Sequence, residues 1–312
     1  MSVVKKQEFY FDSRDREHKI HAIRWIPETE RPVCVVQIVH GMAEYIDRYD
    51  EFASYLAGKG ILVVGDDHLG HGRSVRQGEP YGYFCKEDAA TVLVRDEHRL
   101  KKMTQEQYPN IPYIILGHSM GSFITRNYLF RYGSGIDGAV IVGTGMQPKI
   151  TLLSARMLAG LQRIFCGSKH ASGLLNVAAF GTYNKKIASR KTVFDWLSRN
   201  EENVRRYIED PLCGFTFTIN GFQTLFHLIW NLHDEKRLQE MPKRLPVLFL
   251  SGEDDPVGNY GQGVKQVYQS FLRAGLENVQ IKLYPEDRHE ILNEVDRENV
   301  YDYVYRWILQ RI

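Results

Sequence analysis

The stretch Tyr113-Ile-Ile-Leu-Gly-His-Ser-Met-Gly121 decides how the fold is interpreted, and it holds the only G-x-S-x-G pattern of the chain. Its first four residues are apolar, as in a buried strand. Helical spacing of apolar residues begins directly afterwards at Met120, Phe123, Ile124 and Tyr128. The pattern predicts a strand, a tight turn at Ser119 and a helix, with the two glycines allowing close backbone approach. The alternative is a glycine-rich turn with an incidental serine.

Apolar runs of strand length lie on both sides of this stretch and alternate with helical periodicity. They are Val33–Val39, Ile61–Val64, Ala139–Val142, Val247–Leu250 and Val279–Leu283. Near the N-terminus, Glu8–Phe11 and Lys19–Trp25 alternate apolar with polar residues, which is typical of an antiparallel hairpin. We therefore predict an α/β fold with a mostly parallel central sheet and helices on both faces.

The alternation stops between Gln147 and Arg237, where glycines interrupt short helical patterns and no strand pattern is visible. A gap of about ninety residues between two strands is much longer than a usual crossover. We predict that 147–237 form a helical cap inserted into one core, which 1–146 and 238–312 build together.

Composition excludes several classes of protein. The 312 residues are 43% hydrophobic and 25% charged, which is globular rather than disordered composition. Forty basic and 38 acidic residues give a net charge of +2, so no nucleic-acid partner is expected. The four cysteines form no CxxC pair, and Met1–His18 lacks the apolar segment of a secretory signal. We expect a cytoplasmic protein.

A serine nucleophile needs a histidine base, which in turn needs a carboxylate to orient it. On a parallel sheet the partners are expected in the order serine, acid, histidine, each at the end of a strand. Of the four histidines after Ser119, three lie in the predicted cap, which leaves His289 after the last strand. The acid is expected after Val247–Leu250, where Asp254 and Asp255 are both candidates.

An oxyanion hole needs two backbone N–H groups that point at the developing charge. Met120 follows the serine and is expected to supply one. The second is expected from Met42, because Gly41 lets the backbone of the turn His40-Gly41-Met42 approach closely. The alternative is a turn that only ends the strand.

The run Asp66–Ser74 contains two carboxylates and an H-x-x-H spacing, so metal ligation has to be considered. Gly70 and Gly72 indicate a tight turn after a strand. We expect a hydrogen-bonded loop that shapes the floor of the pocket, and neither a metal nor an organic cofactor.

These motifs together resemble the α/β-hydrolase family that contains monoacylglycerol lipases and lysophospholipases. The matching text is His40–Glu44 with Arg48-Tyr49, Asp67–Ser74, Gly117–Gly121, Gly252–Asp255 and Arg288–Glu290. The resemblance implies the α/β-hydrolase fold and makes Asp255, the third residue after the strand-end glycine, the acid. It also implies that Met42 supplies the second oxyanion N–H.

The chain departs from many family members at Ala43-Glu44-Tyr45, where they have Gly-Glu-His. This departure leaves the triad unchanged and bears on recognition of the alcohol part of the substrate. The cap passages Phe194–Arg199 and Asp210–Phe215 are similar to bacterial lysophospholipase-like members.

The resemblance implies hydrolysis of monoacylglycerols or lysophospholipids through an acyl-enzyme on Ser119. His40, Gly41, Glu44 and His118 are expected to contribute to substrate binding. The alternative is an esterase or peptidase that uses the same triad on small non-lipid esters or amides. A binding protein on this fold would normally lack part of the triad, and an epoxide- or halide-cleaving hydrolase would carry a carboxylate in place of Ser119.

The predicted cap is rich in apolar residues, which either line an acyl-chain site or form the cap's own core. They are Leu152, Leu153, Met157, Leu158, Leu161, Ile164, Phe165, Phe180, Tyr183, Phe194, Trp196, Phe215, Phe217, Phe222, Phe226 and Trp230. Lys185, Lys186, Arg190 and Lys191 form a basic cluster in the same segment. The cluster indicates either transient contact with an anionic membrane surface or a solvated helix face. The oligomeric state is not predicted.

Overall fold

The computed structural model of the protein describes residues 4–312. Residues 1–3 lie outside this range. They belong to the predicted core and to the segment Met1–His18, in which we found no pattern of a secretory signal. Eight strands form one sheet. They are β1 (Lys5–Asp12), β2 (Lys19–Ile26), β3 (Cys34–Val39), β4 (Ile61–Asp66), β5 (Tyr113–His118), β6 (Gly138–Val142), β7 (Val247–Gly252) and β8 (Val279–Tyr284).

The strand order across the sheet is β1-β2-β4-β3-β5-β6-β7-β8. The first two strands form the predicted hairpin, and β2 is also antiparallel to β4, whereas β3 to β8 run parallel. Apart from the edge strand β8, every parallel strand is buried along its whole length, which explains its continuous apolar sequence. The predicted α/β fold is confirmed.

Helices cover both faces of the sheet. Those of ordinary length are α1 (Asp50–Ala57), α2 (Ala89–Gln107), α3 (Met120–Tyr132), α4 (Lys149–Cys166), α5 (Gly173–Phe180), α6 (Glu201–Glu209), α7 (Ile219–Asn231), α8 (Glu235–Glu240), α9 (Gln262–Arg273) and α10 (Arg297–Leu309). Buried residues of α1 and α10 join the core on one face, and those of α2, α3 and α9 join the core on the other face. The parallel strands therefore end at one edge between two helical layers, where polar loops can meet.

Helices α4 to α8 lie between β6 and β7, and one isolated bridge pairs Ala171 with Thr218. Helix α7 packs against α2 and α3 as well as against α4, and α8 runs through the predicted boundary at residue 237. The division into cap and core at these positions stays a prediction. Within residues 4–312, no helix combines the length and the apolar character needed to span a membrane.

Candidate active site

Ser119 lies on a strained turn between β5 and α3. Its φ of 53° and ψ of −118° are unusual for a residue with a side chain. A Cβ added to Gly117 would lie 2.3 Å from Thr125 Oγ1, and one added to Gly121 would lie 1.9 Å from Val39 O. Both motif glycines are therefore required by close packing, and they leave the serine partly exposed at the end of the sheet.

The structure distinguishes between the two candidate acids. Asp255 is 0% exposed, and its Oδ2 accepts a hydrogen bond from His289 Nδ1 at 3.0 Å. The same carboxylate is held by Val257 N–H at 2.8 Å and by the Ser251 hydroxyl at 3.2 Å. Asp254 is exposed, so its side chain points away from this site. Of the two candidates, Asp255 is therefore the one that contacts His289.

His289 follows β8 in a short loop and is almost completely buried. Its ring centroid is 4.7 Å from that of His118, the residue before Ser119, and its backbone carbonyl accepts from His118 Nε2 at 3.2 Å. The ring also lies over Gly143, where an added Cβ would be 3.0 Å from His289 Cε1. Ser119 and His289 are thus near each other, although no hydrogen bond joins them among the described residues. Hydrogen bonds of this kind often tighten only when substrate binds.

The two expected oxyanion donors have free N–H groups. In the turn after β3, Gly41 N–H donates to Glu44 Oε1 at 2.6 Å and Ala43 N–H donates to His71 Nε2 at 3.2 Å. Between them, Met42 N–H has no partner within residues 4–312. Met120 is the first residue of α3, where helix geometry leaves the N–H without an acceptor. A Cβ on Gly41 would be 3.2 Å from Ser119 Cβ, which places this turn directly beside the serine.

A buried ion-pair network joins this turn to the loop that carries His289. Arg48 donates to Glu44 Oε2 at 2.6 Å and to both Glu290 oxygens at 2.9 and 2.8 Å. Burial alone would raise the pKa of Glu44, but the His118 hydrogen bond and the Arg48 charge hold it well below its usual value. Burial opposes ionisation of Glu290 too, yet Arg48 lowers its pKa. Both carboxylates are therefore charged and share one guanidinium.

Three of the four expected substrate contacts have their polar atoms engaged inside the protein. His40 is fully buried; its Nδ1 donates to Gly41 O at 2.8 Å and its Nε2 accepts from His68 N–H at 3.0 Å. Burial lowers the pKa of His40, so the ring is neutral. His118 bonds the Tyr49 hydroxyl at 3.0 Å, and Glu44 belongs to the network above. Direct substrate contact by these three residues stays a prediction. Their polar atoms are paired and almost completely buried, which suits a role in positioning their neighbours.

The loop after β4 has the hydrogen-bonded form expected from Asp66–Ser74. Asp67 accepts from Ile46 N–H at 2.9 Å, from Arg73 N–H at 2.8 Å and from His21 Nδ1 at 2.9 Å. His71 holds Ala43 N–H, and burial together with the charge of His68 lowers the pKa of His71 to about 3. The two histidines of the H-x-x-H spacing therefore have separate roles.

Aromatic residues of the predicted cap lie over His289. The Trp196 ring centroid is 5.2 Å from the His289 ring, and Tyr183 packs edge-on against Trp196 at 5.0 Å. Phe180 stacks beyond them at 6.4 Å. Other apolar residues of the segment differ in exposure. Phe217 and Phe222 are buried, whereas six residues of α4 are exposed: Ile150, Leu153, Met157, Leu161, Ile164 and Phe165.

Sequence reasoning did not find the role of Arg48 or Glu290, which were quoted only as matching text. The two residues are 242 positions apart, so no local pattern joins them. The contact between Trp196 and His289 was also missed, because it depends on how the cap folds back over the sheet. A weak signal did exist, since Arg48 and Glu290 each lie within six residues of an expected catalytic group or oxyanion donor.

Comparison with known proteins agrees with this geometry. A family model described as serine aminopeptidase S33 (Hydrolase_4) matches residues 30–296. The monoglyceride lipase homolog of Monkeypox virus is 28% identical over 94% of this chain and 95% of the relative. The monoacylglycerol lipase of Mycolicibacterium smegmatis is 28% identical over 92% of each chain. A carboxyl esterase from Bacillus coagulans, solved in complex with glycerol, superposes with a TM-score of 0.91 at 28% identity over 99% of both chains.

The matched residues 30–296 span β3 to the loop of His289 and include Ser119 and Asp255. The fold, the family model and the relatives therefore agree on the family, and the resemblance inferred from the motifs is confirmed. The chain belongs to the serine aminopeptidase S33 family of α/β hydrolases, and it is a serine hydrolase related to monoacylglycerol lipases.

Proposed function

We propose that this hydrolase releases fatty acid from monoacylglycerols or lysophospholipids through an acyl-enzyme on Ser119. The observation that carries the proposal is the buried hydrogen bond between Asp255 and His289, located beside a serine on a strained turn. The free N–H groups of Met42 and Met120 complete the arrangement that ester hydrolysis requires.

In this mechanism His289 removes the proton from the Ser119 hydroxyl as its oxygen attacks the ester carbonyl. Asp255 accepts the Nδ1 proton, which leaves Nε2 free to act as the base and stabilises the imidazolium that forms. The oxyanion is bound by the N–H groups of Met42 and Met120. His289 then protonates the departing alcohol, and water, activated by the same histidine, hydrolyses the acyl-enzyme.

A lipid substrate is supported by the surface above His289 and by the relatives. Trp196, Tyr183 and Phe180 provide aromatic area next to the base, which suits an acyl chain. Relatives similar over nearly the whole chain are named monoacylglycerol lipases, and the esterase of similar structure binds glycerol, the alcohol part of a monoacylglycerol. The description of the family model favours a second candidate, a peptidase that acts on small amides.

Transient contact with a lipid surface is part of the proposal. Helix α4 exposes a ridge of apolar side chains, with Ile164 and Phe165 each 78% exposed, and Leu174 and Val177 of α5 extend it. The basic residues Lys185, Lys186, Arg190 and Lys191 are exposed in the same segment. Apolar area beside positive charge favours adsorption to anionic lipid interfaces.

The test measures release of fatty acid from a long-chain monoacylglycerol and from the matching lysophosphatidylcholine. We expect release from at least one of them, and we expect Ser119→Ala to lose about a thousandfold or more in rate. Ser134→Ala removes a hydroxyl from an exposed serine outside the site and is the matched control. Cleavage of aminoacyl anilides without lipid hydrolysis would favour the peptidase, and full activity of Ser119→Ala would contradict the mechanism.

A further inference from the structure

A second cluster of potential ligands lies behind the oxyanion turn and has no part in the triad. It consists of Asp66 at the end of β4, His68 in the following loop and Glu97 on α2. Each is only 1% exposed. The three side chains come from separate elements and meet in the interior, so the arrangement is held by the fold rather than by a mobile surface loop.

The spacing of the atoms matches that of a small coordination site. His68 Nδ1 is 3.1 Å from Glu97 Oε1 and 3.9 Å from Asp66 Oδ2, and the three ligand atoms lie within 4.8 Å of one another. Metal–ligand bonds of about 2.0–2.2 Å in a tetrahedral zinc site separate neighbouring ligand atoms by roughly 3.3–3.6 Å. The two distances from His68 lie within a few tenths of an ångström of this range.

The carboxylates have acceptor atoms to spare. Within residues 4–312, neither oxygen of Asp66 has a hydrogen-bond partner, and Oε1 of Glu97 has only His68 Nδ1 beside it, at 3.1 Å. A buried carboxylate oxygen without a partner is costly, so such atoms indicate an occupant that the protein's own donors do not supply. Both Asp66 oxygens are free, so this residue can bind an ion through either of them.

Groups outside the cluster orient the ligands as they do in metal sites. His68 Nε2 donates to His40 O at 3.1 Å, which directs the lone pair of Nδ1 toward the two carboxylates. Gln37 Nε2 donates to Glu97 Oε2 at 2.6 Å and leaves Oε1 facing His68. A backbone carbonyl on the far histidine nitrogen and a hydrogen bond to the second carboxylate oxygen are characteristic of this second layer of contacts.

Charge is compatible with a divalent ion at this cluster. Two carboxylates and a neutral imidazole around a doubly charged cation sum to zero. Imidazole with carboxylates is a ligand set that suits zinc. We propose that Asp66, His68 and Glu97 form a buried structural site for a divalent transition metal, with zinc as the best fit.

The site would brace the oxyanion turn, because His68 contacts His40 through both its main chain and its side chain. It would not touch substrate, since His40 and the turn lie between it and Ser119. This inference goes beyond the proposed function and does not depend on it. It departs from the expectation of a chain without metal, and it joins His68 to a glutamate that sequence spacing did not connect to it, instead of to His71.

The experiment measures the zinc content of the untagged full-length protein, which is produced in zinc-supplemented medium and dialysed without chelator. We expect about one zinc ion per chain by mass spectrometry, and less than about 0.1 in Asp66→Asn and Glu97→Gln. Asp96→Asn is the matched control, because Asp96 is a buried carboxylate on the same helix that bonds Ser13 and Arg14 instead. The control should keep its metal.

A second measurement covers the case in which the variants fail to fold. Native protein from metal-depleted medium should gain several degrees in Tm on addition of zinc, and cobalt should give the visible absorption of a tetrahedral site. Native protein that holds no metal and gains no stability from it would overturn the proposal, leaving the carboxylates to share a proton. Metal retained in full by folded Asp66→Asn would overturn it as well.

Discussion

Two parts of the segment between β6 and β7 differ in their contacts with the rest of the molecule. Residues 195–203 are bonded to the loop of His289: His289 N–H donates to Trp196 O at 3.4 Å and Glu290 N–H donates to Leu197 O at 2.7 Å. Asn203 adds a hydrogen bond to Glu290 at 2.7 Å. Helix α4 instead exposes apolar side chains at helical spacing, namely Ile150, Leu153, Met157, Leu161, Ile164 and Phe165.

The difference indicates that one insertion serves two separate purposes. The part at 195–203 belongs mechanically to the catalytic site, since its backbone accepts hydrogen bonds from the residues that carry the base. Helix α4 offers a surface that the folded chain leaves uncovered. Substitutions near 195–203 should therefore change turnover on every ester, whereas substitutions on α4 should matter only when the substrate is part of a lipid surface.

The largest effect is expected where Arg48 joins 195–203 to the site. Arg48→Met leaves Glu44 and Glu290 as two buried, unpaired charges, so the oxyanion turn and the His289 loop should separate. We expect roughly a hundredfold loss in kcat/KM on a monomeric short-chain ester, mainly in kcat, because small misplacements of reacting groups are costly. Steady-state kinetics at several ester concentrations measure this split.

Arg48→Lys is the conservative control, because it restores the charge without the two-pronged contact to Glu290. Its kcat should lie between those of Arg48→Met and the native enzyme. A folded Arg48→Met protein with native kcat would show that the network only adds stability. It would contradict the claim that residues 195–203 influence turnover through this network.

A smaller and more selective effect is expected on α4. Ile164→Glu with Phe165→Glu places two charges on the most exposed part of the ridge, so binding to anionic vesicles should weaken about tenfold or more. Hydrolysis of a monomeric short-chain ester should stay within twofold of native, which is roughly the scatter of such assays. Vesicle sedimentation and ester kinetics on the same preparation check both statements.

Leu309→Glu with Ile312→Glu adds the same two charges at exposed apolar residues far from α4 in sequence and is the matched control. Equal loss of vesicle binding in this control would show that net charge, rather than the α4 ridge, governs adsorption. Loss of activity on the monomeric ester in the α4 variant would contradict the separation of the two parts.

The smallest effect concerns the ion pairs that tie the chain between α4 and α5 to the core. His18 bonds Asp15 and Glu79, and Glu79 also pairs with the half-exposed Lys169 at 2.8 Å. The hydrogen bond to Asp15 raises the pKa of His18 above 6.5, although burial opposes the rise. The stabilisation is therefore fully present below pH 6.5 and is lost as pH rises through the folded-state pKa.

We expect the ion pairs of His18 to add less than about 1 kcal/mol to the free energy of unfolding, since solvent screens the cluster. Chemical denaturation should show that the free energy of unfolding of the native protein declines from about pH 6 to about pH 9. The decline should be smaller in His18→Gln. An identical decline in the variant would assign the pH dependence to other groups.

The strands were the most predictable part of the fold. A central strand of a parallel sheet needs apolar residues on both faces, so the run at Tyr113–Leu116 was visible and only its polar end at His118 was not. Ser119 and His289 followed from chain order, because the ends of parallel strands meet. The choice between Asp254 and Asp255 depends on the direction of adjacent side chains in a loop, which spacing does not determine.

The contacts that escaped prediction join residues distant in sequence. Glu97 illustrates this, because the long loop between β4 and α2 separates it in sequence from Asp66 and His68, which lie close to it in space. A signal was nevertheless present in the chain. Glu97 falls on the apolar stripe of α2, between buried Leu93 and Leu100, and a charged residue on such a stripe indicates a buried partner.

The free N–H of Met42 bears on which substitutions the enzyme can tolerate at position 42. The donor belongs to the main chain, so nineteen of the twenty amino acids would supply it and only proline would remove it. Alanine scanning would therefore make position 42 look dispensable. Met42 is partly exposed, so under the proposed mechanism substitutions there would change the surface beside Ser119 while the main-chain donor stays the same.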